Sequence, residues 1–163
     1  MRRTIIGVMG PGGGAGEKDL ENARRLGMLI ARQGWVVLCG GRSVGVMDAV
    51  CKGAKEAGGL TVGVLPDDDS VGASEAVDVA IVTGMGNARN AINVLSSDVV
   101  VACGMGAGTA SEIALALKAN KDVILLGDHP EAVAFFRAIG KDSVKLARDP
   151  DEVIVIVRRL LGL

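Results

Sequence analysis

The chain has 163 residues, which suits a single domain with one hydrophobic core. Its 18 basic and 19 acidic side chains give a formal charge of −1, so the sequence lacks the positive charge of a dedicated nucleic-acid-binding protein. No apolar run approaches the roughly 20 residues of a membrane-spanning helix, and the apolar stretch after Arg3 is too short for a signal peptide. We therefore expect a soluble, cytoplasmic protein that binds neither nucleic acid nor membranes.

The cysteines and aromatic residues exclude further classes of site. Cys39, Cys51 and Cys103 are widely spaced and form no C-x-x-C motif, so neither a disulfide framework nor a metal site is indicated. We expect three buried thiols. With 2 Phe, 1 Trp and no Tyr, the chain has few aromatic side chains for a stacking platform.

Short apolar, β-branched runs alternate with longer stretches of helical periodicity, a pattern typical of repeated strand–helix units. The predicted strands, which we expect to be buried on both faces, lie at 4–9, 35–39, 60–65, 77–83, 98–103, 122–126 and 143–146. The predicted helices lie at 18–33, 46–57, 88–96, 109–119, 130–138 and 149–161. The expected fold is α/β: one doubly wound, Rossmann-like domain over residues 1–163, with a mostly parallel sheet of about seven strands flanked by helices.

Glycine-rich turns follow three of the predicted strands, at residues 10–14, 40–45 and 104–108. Because ligands of open parallel sheets bind outside the carboxyl ends of the strands, these turns should converge on one crevice. Glycine lets backbone N–H groups approach an anion closely, and the helix after each turn points its positive end toward it. The turns therefore predict a site for a small phosphorylated ligand.

The segment from Gly104 to Glu112 allows two interpretations. Thr109 and Glu112 have the spacing of a capping box, in which both side chains accept hydrogen bonds from amides at the helix start. Three glycines in five residues exceed what a helix start requires, however, and they indicate a ligand lying against the backbone. In that case a carboxylate would repel a phosphate, so Glu112 is expected to face a sugar or base.

Two arginines are candidates for contact with an anionic ligand. Arg89 lies at the predicted start of a helix, where a cation opposes the helix dipole, and Arg42 lies within the second glycine-rich turn. The alternative for each is a solvated surface side chain. His129 is the only histidine, so neither a Ser-His-Asp triad nor a histidine-ligated metal is indicated.

Two motifs resemble those of a known superfamily. The run at 40–47, with the glycines and strand at 53–66, resembles the Lonely Guy and molybdenum-cofactor-carrier-like superfamily, whose members often carry a lysine-decarboxylase label. Residues 106–112 are similar to its G-x-G-T-x-x-E signature. The resemblance implies a Rossmann-type fold, a homo-oligomer and a phosphorylated ligand.

The superfamily offers two functions. Lonely Guy enzymes are phosphoribohydrolases of nucleoside 5′-monophosphates, and the resemblance places their catalytic roles on Arg89 and Glu112. The residues around Arg89 and Glu112 differ from those of the enzymes at Ala88, at Asn90 and at Gly104–Met105. This pattern is more similar to the carrier-like branch, whose members hold a phosphorylated pterin without chemical change. We therefore expect a carrier-like protein, with the phosphoribohydrolase as the alternative.

A third alternative is a non-catalytic assembly protein in which the glycines serve only tight packing. Under all three interpretations, apolar helix faces at 114–117 and 132–136 are candidates for the interface of a dimer or tetramer. No cofactor is required, although the molybdenum cofactor or a nucleotide is a candidate ligand. The predicted ligand-binding residues are Gly10, Gly12, Gly40, Gly41, Arg42, Ser43, Gly45, Met47, Arg89, Asn90, Gly106, Ala107, Gly108, Thr109 and Glu112.

Overall fold

The computed structural model describes residues 2–163, and a seven-stranded sheet forms its centre. The strands are β1 (Ile5–Met9), β2 (Val36–Cys39), β3 (Thr61–Leu65), β4 (Val79–Val82), β5 (Val99–Cys103), β6 (Val123–Leu126) and β7 (Val144–Ala147). Every pair of neighbouring strands is parallel, in the order β4-β3-β2-β1-β5-β6-β7. The predicted α/β fold with a parallel sheet is confirmed.

Six helices cover the two faces of the sheet. They are α1 (Glu17–Arg32), α2 (Gly45–Glu56), α3 (Asn90–Ser96), α4 (Ala107–Lys118), α5 (Pro130–Gly140) and α6 (Pro150–Leu160). Helices α1, α2 and α6 pack on one face, and α3, α4 and α5 pack on the other. No helix within residues 2–163 combines the length and apolarity needed to cross a membrane.

Helices α1 and α2 pack closely because each has a glycine where the other approaches. A Cβ on Gly27 would lie 2.1 Å from the carbonyl oxygen of Val50, and a Cβ on Gly53 would lie 1.9 Å from that of Arg24. Neither position has room for a side chain. Since α2 begins at Gly45, close to the carboxyl ends of the strands, this packing fixes one wall of the crevice described below.

Strand β4 departs from the prediction that all strands are buried on both faces. It lies at one edge of the sheet, and Val79, Ile81 and Val82 are between 42 and 46% exposed. After β4 the chain forms a short 3₁₀ helix (Gly86–Arg89) and then α3, which packs on β1 rather than on β4. An apolar strand sequence does not distinguish a central strand from an edge strand that lacks a covering helix.

The direction of the strand order reverses at β1, since β2 to β4 extend to one side and β5 to β7 to the other. Such a switch point leaves a crevice outside the carboxyl ends of the two strands that flank it. Strands β1 and β5 are paired in register up to Met9 and Ala102, so the turns that follow them begin side by side. The glycine-rich turns therefore meet at this crevice.

Candidate functional site

A cavity of about 510 Å³ lies at the switch point, within the size range typical of small-ligand sites. The turns after β1, β2 and β5 line it, together with the start of α4 and the segment before α3. The predicted residues that line it are Gly10, Gly12, Gly40, Arg42, Met47, Arg89, Asn90, Gly106, Ala107, Gly108, Thr109 and Glu112. Residues without a sequence-based assignment as ligand contacts also line it, among them Val8, Met9, Pro11, Gly13, Gly14, Val44, Asn87 and Met105.

Three predicted residues, Gly41, Ser43 and Gly45, do not line the cavity. Gly41 has a φ of +74°, and a Cβ there would lie 2.8 Å from the Cα of Gly63. Gly45 has a φ of +58°, and its Cβ would lie 2.2 Å from a carbonyl oxygen of the first turn. The amide of Ser43 donates to the carbonyl oxygen of Gly72 at 3.0 Å. These residues hold the turns against their neighbours.

Other glycines of the turns border open space. A Cβ placed on Gly13, Gly14 or Gly108 would meet no protein atom within 4 Å. At Gly106 the nearest atom, from Pro11, is 3.4 Å away. Tight packing therefore does not account for these glycines, and their bare backbone is accessible from the cavity.

Helix α4 begins at Ala107, two residues before the predicted start, and the capping-box interpretation is wrong. The N-cap residue is Gly106, which has no side chain, so the N–H groups of residues 107–109 have no acceptor within the helix. Thr109 Oγ1 is buried and has no hydrogen-bond partner among the described residues. Unpaired amides at the positive end of a helix favour an anionic ligand.

Arg89 is buried, contrary to the alternative of a solvated surface side chain. Its Nε donates to the carbonyl oxygen of Val64 at 2.9 Å, and its Nη1 donates to Oδ1 of Asn90. Gly40 leaves the space for the guanidinium group, since a Cβ there would lie 2.7 Å from Nη2. Burial lowers the pKa of Arg89, but an arginine stays protonated in proteins. The cavity therefore contains a permanent, partly desolvated cation.

Asn90 links this cation to helix α4. Its Nδ2 donates to Oγ of Ser111 at 3.0 Å, and Ser111 Oγ donates to the carbonyl oxygen of Gly108 at 2.7 Å. Asn90 thus orients Arg89 and the first turn of α4 relative to each other. Arg42, the other predicted cation, is exposed at the rim.

Glu112 lies in the second turn of α4 and is only 6% exposed. Its Oε1 accepts a hydrogen bond from Nδ2 of Asn93 at 3.0 Å. Burial raises the pKa of Glu112, and the Asn93 hydrogen bond and the charge of Arg89 counteract this only in part. Sequence reasoning missed Asn93, although its spacing of three from Asn90 places both amides on one side of α3.

The cysteines are buried, as predicted. Cys39, at the end of β2, accepts a hydrogen bond from the amide of Gly41 at 3.3 Å, and its Sγ lies 3.4 Å from that of Cys51. The hydrogen bond from Cys51 lowers the pKa of Cys39, and burial raises the pKa of Cys103 to about 12. Cys39 therefore supports the second glycine-rich turn from below.

Two solved structures resemble this chain over nearly its whole length. The molybdenum cofactor binding protein from the phototrophic bacterium Rippkaea orientalis is 55% identical, with a TM-score of 0.98 and 99% of each chain covered. The molybdenum cofactor carrier protein of Chlamydomonas reinhardtii is also 55% identical, with a TM-score of 0.95, and the match covers 99% of this chain and 100% of that chain. The site described above thus belongs to a fold shared with proteins that bind this cofactor.

A short segment of this chain is similar to an enzyme, and a family model matches nearly all of this chain. Cytokinin riboside 5′-monophosphate phosphoribohydrolase from Mycobacterium tuberculosis is 47% identical over 47 residues, which are 29% of this chain and 25% of the enzyme. The model described as the SLOG cluster4 family matches residues 3–154. The chain therefore belongs to the SLOG cluster4 family.

Proposed function

We propose that this protein binds the molybdenum cofactor, a phosphorylated pterin, in the cavity at the switch point and carries it without chemical change. The observation that carries the proposal is the 55% identity, over 99% of both chains, to a molybdenum cofactor binding protein. The cavity supports it because its parts suit the two ends of such a ligand.

The phosphate end of the ligand lies against helix α4 and the first glycine-rich turn. The unpaired amides of residues 107–109 point their N–H groups toward the anion, and the open backbone at 12–14 allows close approach. Arg89 and Arg42 supply positive charge, whereas Glu112 is the one acidic residue of the lining. Nη2 of Arg89 donates to no acceptor among residues 2–163, so it is available to donate to the phosphate.

The ring end of the ligand lies deeper, between apolar and polar surfaces. Met47 and Met105 line the cavity and offer polarisable surfaces to a flat heterocycle. Thr109 and Glu112 provide the polar groups on the same side of α4. The ligand is thereby held at both ends without a group that is required to react.

Binding is tested by titrating the purified protein with isolated molybdenum cofactor and with a pterin monophosphate. Replacement of Arg89 by alanine should weaken binding of either ligand about ten- to a hundredfold, the effect of losing a charged hydrogen bond. Arg158→Ala, which changes an exposed arginine of α6, is the matched control and should bind like the wild type. Absence of binding to both ligands by the wild-type protein would contradict the proposal.

One observation favours a second candidate, the nucleoside 5′-monophosphate phosphoribohydrolase. Glu112 is a buried carboxyl group with a raised pKa, and it shares the cavity with the cation of Arg89. In glycoside cleavage such a carboxyl stabilises the oxocarbenium-like sugar or activates water. Arg89 would then orient the phosphoribosyl group.

The two candidates are separated by incubating the protein with AMP and following free base by chromatography. Base release that disappears in Glu112→Ala supports the hydrolase. No release, together with a rise in melting temperature on addition of a pterin monophosphate, supports the carrier.

We also infer that the protein assembles as a homo-oligomer through the outer surface of α3 to α5. Leu95, Phe135 and Ile139 on these helices are 61, 59 and 55% exposed. Within the predicted interface segment 132–136, Phe136 packs into the core and Phe135 faces outward. Large exposed apolar side chains on adjoining helices are typical of an association surface.

A further inference from the structure

The single carboxylate of the cavity lining, Glu112, is only partly paired. Its Oε1 accepts one hydrogen bond, from Asn93, and its Oε2 accepts none from residues 2–163. No ion pair joins it to Arg89 within that part of the chain, although both line the cavity. On the same side of α4, Oγ1 of Thr109 is buried and has no hydrogen-bond partner among residues 2–163.

Partial pairing at this depth is unfavourable for the protein alone. A buried carboxylate is costly unless hydrogen-bond donors surround it, and an unpaired buried hydroxyl is costly as well. Burial raises the pKa of Glu112, and the single hydrogen bond from Asn93 and the charge of Arg89 offset this only in part. A ligand that brings N–H groups to this point lowers the cost of burial, and a ligand that brings a lone pair increases it.

We propose, resting on the proposed function, that Glu112 selects the ring of the ligand by accepting paired hydrogen bonds from the 2-amino-4-oxopyrimidine ring. In this ring, which pterins and guanine share, a ring N–H and an exocyclic NH₂ point in the same direction. The two donors match the two carboxylate oxygens as the fork of an arginine does. Adenine and hypoxanthine lack this pair of donors, so they leave Oε2 unpaired.

The position of Glu112 on α4 suits this role. It lies four residues after Gly108, which places it about 6 Å further along the helix axis than the amides at the helix start. A phosphate at those amides and a ring at Glu112 therefore occupy separate parts of one cavity. Thr109, three residues before Glu112, lies on the same side of the helix, where its hydroxyl can pair with the ring or its substituents.

The test compares ligands that differ at the 2-amino position. The pairs are GMP against IMP, and 6-hydroxymethylpterin monophosphate against the corresponding lumazine monophosphate, measured by isothermal titration calorimetry. We expect the 2-amino member of a pair to bind about ten- to a hundredfold more tightly, the effect of one or more charged hydrogen bonds. The ratio of pterin phosphate to GMP affinity then shows which source of the shared ring the cavity accepts.

The variant Glu112→Gln should abolish the preference while binding of the 2-deamino or 2-oxo ligands persists. Glu131→Gln, an exposed glutamate at the start of α5, is the control and should keep the wild-type ratio. Equal affinity within both pairs for the wild-type protein overturns the selection by Glu112 and leaves the proposed function in place. Failure of every ligand to bind overturns both. If Glu112→Gln does not fold, the wild-type ratios alone decide.

Discussion

Gly40 affects the site through the residue that occupies the space beside it. The guanidinium group of Arg89 and the sulfur of Met47 both lie where a side chain at position 40 would begin. Arg89 keeps its position through bonds to a carbonyl oxygen of β3 and to Asn90. Position 40 therefore has to lack a side chain, and Gly40 affects a ligand indirectly, through the position of Arg89.

Replacement of Gly40 by alanine should lower the affinity for a pterin phosphate about tenfold or more, with little loss of stability. The new Cβ would lie 2.7 Å from both Nη2 of Arg89 and Sδ of Met47, the ends of flexible side chains that can move. Moving the guanidinium group costs the ligand a charged hydrogen bond. Calorimetric titration and a melting curve check both parts, with Gly72→Ala, where the nearest atom is 4.0 Å away, as control. Unchanged affinity in Gly40→Ala would contradict this role.

The carboxyl group of Glu112 should make the stability of the wild-type protein fall as the pH rises. Since burial raises its pKa in the folded state above the ordinary value of about 4.3, the folded state binds more protons than the unfolded state between the two values. The stability it contributes is complete below the ordinary pKa and is lost as the pH rises through the raised one. Glu112→Gln cannot ionise and lacks this loss.

The free energies of unfolding of wild type and Glu112→Gln should be compared by urea denaturation from about pH 4 to about pH 8 at constant ionic strength. The charged group nearest in effect, Arg89, stays protonated throughout, so the difference reports Glu112. The free energy of unfolding of the variant should rise relative to that of the wild type as the pH rises, and the difference should become constant above the raised pKa. A difference that does not change with pH would exclude the assigned cause.

For single residues, the sequence indicated which charged side chains belong to the site, but not which residues they contact. Arg89 and Glu112 were predicted because their charges stand out beside glycine-rich turns. Asn93, which donates to Glu112, was missed because no motif includes it and only its spacing from Asn90 indicates a role. Gly41 and Gly45 were predicted as ligand contacts, yet they lie outside the lining, because a glycine that meets a ligand and one that meets another turn read alike in the sequence.

At the scale of the elements, alanine substitutions at two helical glycines should change stability in opposite directions, because Gly53 of α2 packs against α1 and Gly108 of α4 has no neighbour. Gly53→Ala should destabilise the protein by about 1 to 3 kcal/mol, since its Cβ would lie 1.9 Å from a backbone oxygen of α1. Gly108→Ala, in the first turn of α4 with nothing within 4 Å, should leave stability unchanged or raise it by up to about 1 kcal/mol. Urea denaturation of both variants measures the difference, and equal effects would show that the helices adjust freely.

The elements themselves were largely predictable, because strand and helix periodicities alternate clearly along this chain. The seven strands and six helices lie close to their predicted ranges. The errors have local physical causes. Helix α4 starts two residues early because Gly106 serves as N-cap without a side chain, and the exposure of β4 depends on where α3 packs, which no residue of β4 encodes.

For the whole molecule, the inferred oligomer makes a charge in the outer surface of α3 to α5 disruptive. Phe135→Glu should shift the mass measured by light scattering toward that of the monomer, because a carboxylate would be buried in an apolar interface. Val155→Glu places the same charge on α6, at an equally exposed position on the opposite layer, and should leave the mass unchanged. A monomeric wild type, or loss of assembly in the control alone, would contradict this choice of interface.

That the three turns lie at one edge was predictable because parallel strands bring their carboxyl ends there, and they meet in one cavity because β2, β1 and β5 are neighbours. The strand order, with the reversal at β1, depends on pairings between strands that are distant in the sequence and cannot be read from any one segment. The sequence also does not indicate which of the adjacent residues Phe135 and Phe136 is exposed, because only the packing of α5 places Phe136 in the core.

The close packing of α1 on α2 at Gly27 and Gly53 bears on how a ligand would leave under the proposed carrier function. Helix α2 packs closely on α1, and this packing holds the wall that includes Val44 and Met47. The facing wall, from Asn87 to Asn90, is held by side-chain hydrogen bonds and follows two glycines with positive φ, at 84 and 86. If the proposed function holds, release of the ligand should proceed by displacement of that facing wall, and its residence time should depend on the hydrogen bonds that Asn90 and Arg89 make there.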